Sequence, residues 1–286
     1  RSDLNHRILP RFGHLRLDRV SSSDIEQWMI ELKSAGLSPR TINKLRRMMN
    51  GIYVHAGRRH ANVVNPVLSV DSLRIQSSKP SQVYTPDEAL LLIEQAGSSR
   101  NRALLAVAVM AGLRLGEIRA LTWGDVDFVN RRLEVSKAYS GREVLAPKSG
   151  KSRVVPVNDE LLRHLAAWKD TTELTDAQSA VFVGDRGAVI DQAVVRKIFI
   201  EACDRAGVPR YRFHDLRRTF GSVAIRNADV VEVMHWMGHS RIETTAIYLQ
   251  YLAQDDAAER LNGAWTTSAI ETRIRRAPIV ATDGPN

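Results

Sequence analysis

Residues 126–157 read VDFVNRRLEVSKAYSGREVLAPKSGKSRVVPV, and their character sets the architecture apart from an all-helical one. Three short runs rich in valine and other β-formers, VDFVNRRLEV, REVLAP and SRVVPV, are separated by Asn130-Arg131, Ser140-Gly141 and Ser149-Gly150, which read as turns. This pattern predicts a small three-stranded antiparallel sheet. On both sides of it, apolar residues recur at helical and not at alternating spacing, so the expected fold is mainly α with one small antiparallel β-sheet.

Working outward, Thr85-Pro86-Asp87-Glu88 is a capping box with proline at the first helical position, which marks the start of a folding unit. Helices are predicted over 87–96, 101–112 and 115–121 before the sheet. After it they are predicted over 159–169, 191–206, 214–226, 230–236 and 242–252, with a short one near 255–261. The apolar run 103–113 is eleven residues long, too short for a bilayer span and suited to a buried helix. Nearer the N-terminus, Ser23-Asp24-Ile25-Glu26 reads as a capping box. Ser38-Pro39 opens a helix whose apolar positions Ile42, Leu45, Met49, Ile52 and Tyr53 lie opposite Arg40, Lys44, Arg46 and Arg47. Serine and proline punctuate residues 65–81, the expected linker region. The organisation expected is a helical domain over 1–75, a linker at 76–84, a second domain over 85–265 and a tail at 266–286.

The net charge is +9, and residues 1–82 hold 14 Lys/Arg against 6 Asp/Glu, so nearly all the excess sits in the first quarter. A basic helical module points to a polyanion partner, DNA or RNA, although solubility charge explains the composition equally well. Cys203 is the sole cysteine, which excludes an intramolecular disulfide and a cysteine metal cluster and suggests a cytoplasmic setting. The opening RSDLNHRILP has no apolar signal core and reads as a cut or processed end.

Several residue pairs could carry chemistry. His214 and Arg217 are three apart, so on a helix they differ by about 60° and can face one anion. A backbone-bonded histidine beside a surface arginine explains the pair as well. Arg114 and Glu117 have the same spacing, and a guanidinium oriented by a carboxylate is a good phosphate fork, but a simple helical ion pair is no less compatible. Lys148 and Lys151 fall on a turn between strands, where solvation alone accounts for most lysines. His235 and His239 are four apart, yet Gly238 intervenes and no carboxylate completes a shell, so no metal and no cofactor is expected. Ser240-Arg241-Ile242-Glu243 reads as a capping box with Tyr248 about two turns inside the following helix.

Taken in order, Arg114, Lys148, His214-x-x-Arg217, His239 and Tyr248 resemble the motifs of the tyrosine recombinases, the phage integrase family: GLR-x-x-E, K-x-G-x-x-R-x-VP, H-x-L-R and GHS-x-x-x-TT-x-x-Y. The likeness covers residues 83–250, with 8–66 similar to the family's core-binding domain, and Met237 stands where leucine is commoner. It implies a helical core-binding domain and a catalytic domain forming a DNA clamp. It also implies that Arg114, Lys148, His214, Arg217, His239 and Tyr248 are catalytic, with Glu117 behind them holding the active-site turn. Arg114 and Arg217 would bind the non-bridging phosphate oxygens, His214 and His239 would donate further hydrogen bonds, Tyr248 would attack phosphorus and Lys148 would protonate the leaving 5′-oxygen. The 3′-phosphotyrosyl bond conserves the ester's energy, so rejoining needs no ATP and no metal.

The expected partners are double-stranded DNA, contacted in part through Arg40, Lys44, Arg46 and Arg47, a homo-tetramer on paired sites, and accessory DNA-bending or directionality proteins. No membrane is expected. The resemblance also suggests that an arm-binding domain has been removed from the N-terminus. The rival readings are a type IB topoisomerase and a non-catalytic DNA-binding regulator on the same fold.

Overall fold

The computed structural model describes residues 3–60, 63–75, 82–141, 143–145, 152–184 and 187–249. The chain divides into two compact units, Arg1–Lys79 and Pro80–Asn286.

The first unit contains α1 (Leu9–Phe12), α2 (Ser22–Ser34) and α3 (Pro39–Gly57). Its core gathers Ile25, Trp28 and Met29 of α2 with Ile42, Leu45, Met49 and Tyr53 of α3, and the Tyr53 hydroxyl donates to the Leu17 carbonyl at 3.0 Å. The expected cap of α2 at Ser23 is corrected by two residues. Ser21 caps the helix, its Oγ accepting from the Asp24 N–H at 3.1 Å while Asp24 Oδ2 accepts from the Ser21 N–H at 2.9 Å. Val20 before the cap and Ile25 four residues after it are both buried in the same core, the placement of a hydrophobic staple that a cap at Ser23 would lose. Ser38 caps α3 by accepting from the Thr41 N–H.

The second unit begins with α4 (Pro86–Glu94), closed by the reciprocal Thr85 and Glu88 bonds, then α5 (Ser99–Met110) and α6 (Leu115–Ala120). All seven residues from Ala103 to Val109 are buried, so this stretch of α5 is apolar on every side and lies within the core. Burying each large side chain there contributes about 1.5–3 kcal/mol. The strands are β1 (Val126–Asp127), β2 (Arg132–Val135), β3 (Ala138–Ser140), β4 (Glu143–Leu145) and β5 (Arg153–Pro156).

They form two sheets and not one. The three-stranded antiparallel sheet has the order β1-β2-β5, and β3 pairs with β4 in a separate two-stranded sheet. Leu133 pairs with Val155 and both are fully buried, so β5 takes the place beside β2. The described part of the REVLAP run, Glu143–Leu145, has no core face to fill, since Val144 and Leu145 are both exposed, and it pairs outside that sheet with a strand the valine pattern did not mark.

The remaining helices are α7 (Asp159–Lys169), α8 (Gln192–Ala206), α9 (Phe213–Ala224), α10 (Val230–Met237) and α11 (Glu243–Ala246). α5 packs against α4, α7 and α9, which sets α9 beside the main core. Among the described residues, no helix is long and apolar enough to cross a membrane.

Candidate active site

Arg114 occupies the N-cap of α6, and Glu117 one turn on folds back to accept from the Arg114 N–H at 2.8 Å and from Arg114 Nη1 at 2.9 Å. The Glu117 side chain is 1% exposed and that of Arg114 27%, so the carboxylate supports the guanidinium from the protein side. Arg217 lies on α9 and is buried, because Leu216 and Phe220 anchor that helix in apolar surroundings. Its Nη1 donates to the Gly112 carbonyl at 2.5 Å and its Nη2 to the Met237 carbonyl. Gly112 permits this approach: its φ is +61° and a Cβ there would lie 2.4 Å from the Phe220 ring.

His239 follows α10 directly, and its Nδ1 is 2.9 Å from the Thr245 hydroxyl. Arg114 Nη2 reaches the same turn, donating to the Gly238 carbonyl at 3.1 Å. Arg114, Arg217 and His239 are thus brought together at the end of α10. Arg217 and His214 line one cleft of about 440 Å³, which Arg196 and Arg212 also line.

Tyr248 is buried with Phe220, Ala224, Val233 and Met237, its ring lying against Gly221 of α9. The helix expected over 242–252 is corrected in its described part. α11 is a single turn with Ile242 at its N-cap and no side-chain cap, so the box expected at Ser240 does not form. Thr245 is fully buried and faces His239, which draws the segment inward, and adjacent threonines are weak helix formers. Lys148, Lys151, Tyr251 and the helix expected near 255–261 lie outside the described residues.

Glu117 pairs with two arginines, Arg114 and Arg153, and the Arg217 guanidinium lies near enough to feel all three charges, leaving positive charge suited to an anion. Arg153, which the motif reading left without a role, binds Glu117 through two nitrogens at 3.0 and 2.7 Å, with both side chains buried. Burial alone would raise the Glu117 pKa, but the hydrogen bonds and charge of Arg153, with help from Arg114, hold it at about 2. Burial and the Arg114 charge pull Arg217 down to about 9, which leaves it charged at neutral pH. Desolvation and the charges of Arg217, Arg114 and Arg153 bring His239 to about 4. His214 is also lowered, by desolvation of its packed side and by Arg217. Both imidazoles are therefore neutral at pH 7 without an anion, each able to donate one N–H.

In the first unit, Arg46 Nε donates to the Val70 carbonyl at 2.8 Å and Nη2 to Val67 at 3.1 Å, so this arginine braces the fold. Lys44 pairs with Asp3 at 2.5 Å, Arg47 Nε donates to the Asn43 carbonyl at 3.3 Å, and Arg40 is exposed.

Residues 82–255, more than half of the chain, match the phage integrase family. The chain belongs to that family. Among curated relatives of this phage integrase member, the tyrosine recombinase XerC of Xanthomonas campestris pv. campestris (strain B100) is 29% identical over 246 residues, spanning 82% of this chain and 73% of the relative. Among solved structures, the Tn1549 transposon integrase in complex with transposon right end DNA superposes with a TM-score of 0.73. It is 23% identical and covers 94% of this chain and 90% of that one. The lambda integrase tetramer bound to a Holliday junction gives 0.65 at 18% identity, covering 84% and 70%. At these identities the structural likeness establishes the fold. Family membership makes the chain a site-specific recombinase of the tyrosine class.

Proposed function

We propose that this recombinase cuts and rejoins duplex DNA through a 3′-phosphotyrosyl bond formed by Tyr248, with Arg114, Arg217, His214 and His239 as ligands of the scissile phosphate and Lys148 as the acid for the 5′-oxygen. The observation that carries this reading is the convergence of Arg114, Arg217 and His239 on one helix end, next to a tyrosine packed on the helix that bears Arg217. Phosphoryl transfer needs charge neutralised on equatorial oxygens and a nucleophile in line, and two guanidiniums braced from behind supply the first at little cost in reorganisation. Neutral His214 and His239 each donate one hydrogen bond, and a bound phosphate dianion-like transition state raises their proton affinity as it forms.

The solved relatives were captured on transposon-end DNA and, as a tetramer, on a Holliday junction, which supports duplex DNA as the partner here and a tetramer on paired sites as the working assembly. Arg40, Lys44 and Arg47 would grip backbone phosphates from the first unit, and accessory DNA-bending or directionality proteins would set the outcome. Integration or excision of a mobile element is the reaction this assembly would serve, in a cytoplasmic setting.

The test is adduct formation. Nicked duplexes of randomised sequence are incubated with the protein, and SDS-resistant complexes are recovered and sequenced. Wild type should yield adducts with a common core, and Tyr248→Phe none. A complete lack of adducts with wild type would leave a DNA-binding protein without this chemistry, while relaxation of supercoiled plasmid without strand exchange would point to a topoisomerase. A substrate with sulfur at the 5′-bridging position should rescue Lys148→Ala and leave Tyr248→Phe inactive; lack of rescue removes Lys148 as the acid.

A further inference from the structure

α10 ends in three successive carbonyls, those of Trp236, Met237 and Gly238, and each accepts from a different arginine. Arg153 at the start of β5 reaches Trp236 through Nε at 2.7 Å, Arg217 of α9 reaches Met237, and Arg114 before α6 reaches Gly238. The last carbonyls of a helix lack intrahelical partners and carry partial negative charge, so cations from separate segments find a ready anchor there.

Arg153 is set apart by where its nitrogens go. Nε, Nη1 and Nη2 are all bonded within the protein, and its side chain is 3% exposed. Its two partners are the groups that orient the others. Glu117 also accepts from Arg114 twice, and Trp236 lies two residues before the glycine whose carbonyl holds Arg114 and three before His239. Gly238 lies over the guanidinium: a Cβ there would be 3.1 Å from Arg153 Cδ and Nη1, and its φ of +59° is the left-handed conformation that glycine adopts without strain.

We propose that Arg153 is a positioning residue for the cleavage step: by joining Glu117 to the end of α10 it fixes the directions of Arg114 and His239 without touching DNA. This rests on the reading of Arg114 and His239 as phosphate ligands. A bidentate guanidinium with a third donor at Nε binds a carboxylate and a carbonyl at once, which an ammonium cannot do with the same rigidity. Arg153 also adds to the positive surroundings that lower the His239 pKa, so its removal has a signature at a residue it does not bond.

The deciding variant is Arg153→Met combined with Glu117→Met, which replaces the buried ion pair by apolar side chains of similar volume, a change that folds commonly tolerate. With duplexes pre-selected by the wild type, this variant should still melt cooperatively and form the non-covalent DNA complex. Its single-turnover adduct formation should slow on the order of 100-fold, the scale of a catalytic group misplaced by about an ångström. Arg153→Lys should fall between it and wild type, and should decide the matter if the double variant does not fold. In NMR titration of the free protein, the His239 midpoint should rise in the double variant, which lacks the Arg153 charge, and move less in Arg153→Lys, which keeps a cation there. A double variant that cleaves at the wild-type rate would reduce Arg153 to a stabilising role and overturn the proposal. If the wild type itself forms no adduct, the active-site reading fails separately, and an unmoved His239 midpoint then overturns the coupling as well.

Discussion

A Cβ at Gly221 would lie 2.7 Å from Cζ of Tyr248, so the tyrosine ring rests on the backbone of α9 at a point where no side chain intervenes. Gly221→Ala therefore sets two effects against each other. Helix propensity favours alanine by about 1 kcal/mol. Overpacking against the ring costs about 1–3 kcal/mol, and the nucleophile must shift to relieve it. Adduct formation should fall, with stability unchanged or reduced by up to about 2 kcal/mol in urea. In a Tyr248→Ala background the same Gly221→Ala should become neutral or stabilising by about 1 kcal/mol. Equal effects in the two backgrounds would mean the ring does not sit there in solution.

Glu117 serves two arginines, and its pKa of about 2 is below the 4.5 of an ordinary glutamate. A lowered carboxylate pKa contributes stability that is present above the ordinary value and lost as pH falls toward the lowered one. Wild type should therefore weaken between about pH 4.5 and pH 2 partly through this group. Glu117→Gln should be destabilised by about 3–5 kcal/mol at neutral pH, since it leaves buried arginines without their counter-charge. Urea titration measures this, and a loss below about 1 kcal/mol would show the pair to be solvated.

His239 has the opposite dependence in origin and the same one in outcome. Its pKa of about 4 is below the ordinary 6.5, so between these values the unfolded chain takes up a proton that the folded chain refuses. Stability falls as pH drops through that window. His239→Gln should flatten the slope between about pH 6.5 and pH 4, read as denaturation midpoints across the range. An unchanged slope would assign the window to other groups.

In the first unit, two arginines less than two helical turns apart on α3 should behave differently. Arg46→Ala removes donors to the Val67 and Val70 carbonyls and should cost about 1–3 kcal/mol of that unit's stability. Arg40→Ala, at an exposed site, should change stability by less than about 0.5 kcal/mol. It should reduce the salt dependence of DNA affinity by about one phosphate contact. Salt-independent affinity in wild type would argue that this unit does not grip DNA through its backbone.

The helices were largely legible because their signals are local. α7 covers the 159–169 range expected for it, and Thr85 and Glu88 form the box their spacing predicts. Serine runs are ambiguous in the same local terms, which is why Ser21 and not Ser23 caps α2. The two-sheet arrangement was not legible, since valine content marks strands but does not say which neighbour they choose. The carbonyl partners of Arg114 and Arg217 were hidden for a deeper reason. They are backbone groups, which every residue carries, and the contacts span 124 positions for Arg114 and 105 and 20 for Arg217. Gly221 was hidden because its contribution is a missing group, and Lys148 lies outside the described residues.

The carbonyl end of α10 also bears on how such a site could be moved or rebuilt. Grafting the reactive side chains onto another scaffold would transfer the reagents and leave behind the acceptors that aim them. The portable unit is a helix terminus with its left-handed glycine, together with the three segments whose cations dock on it. A redesign that lengthened α10 by one turn would withdraw all three acceptors at once, disarming the enzyme without altering a single reactive group.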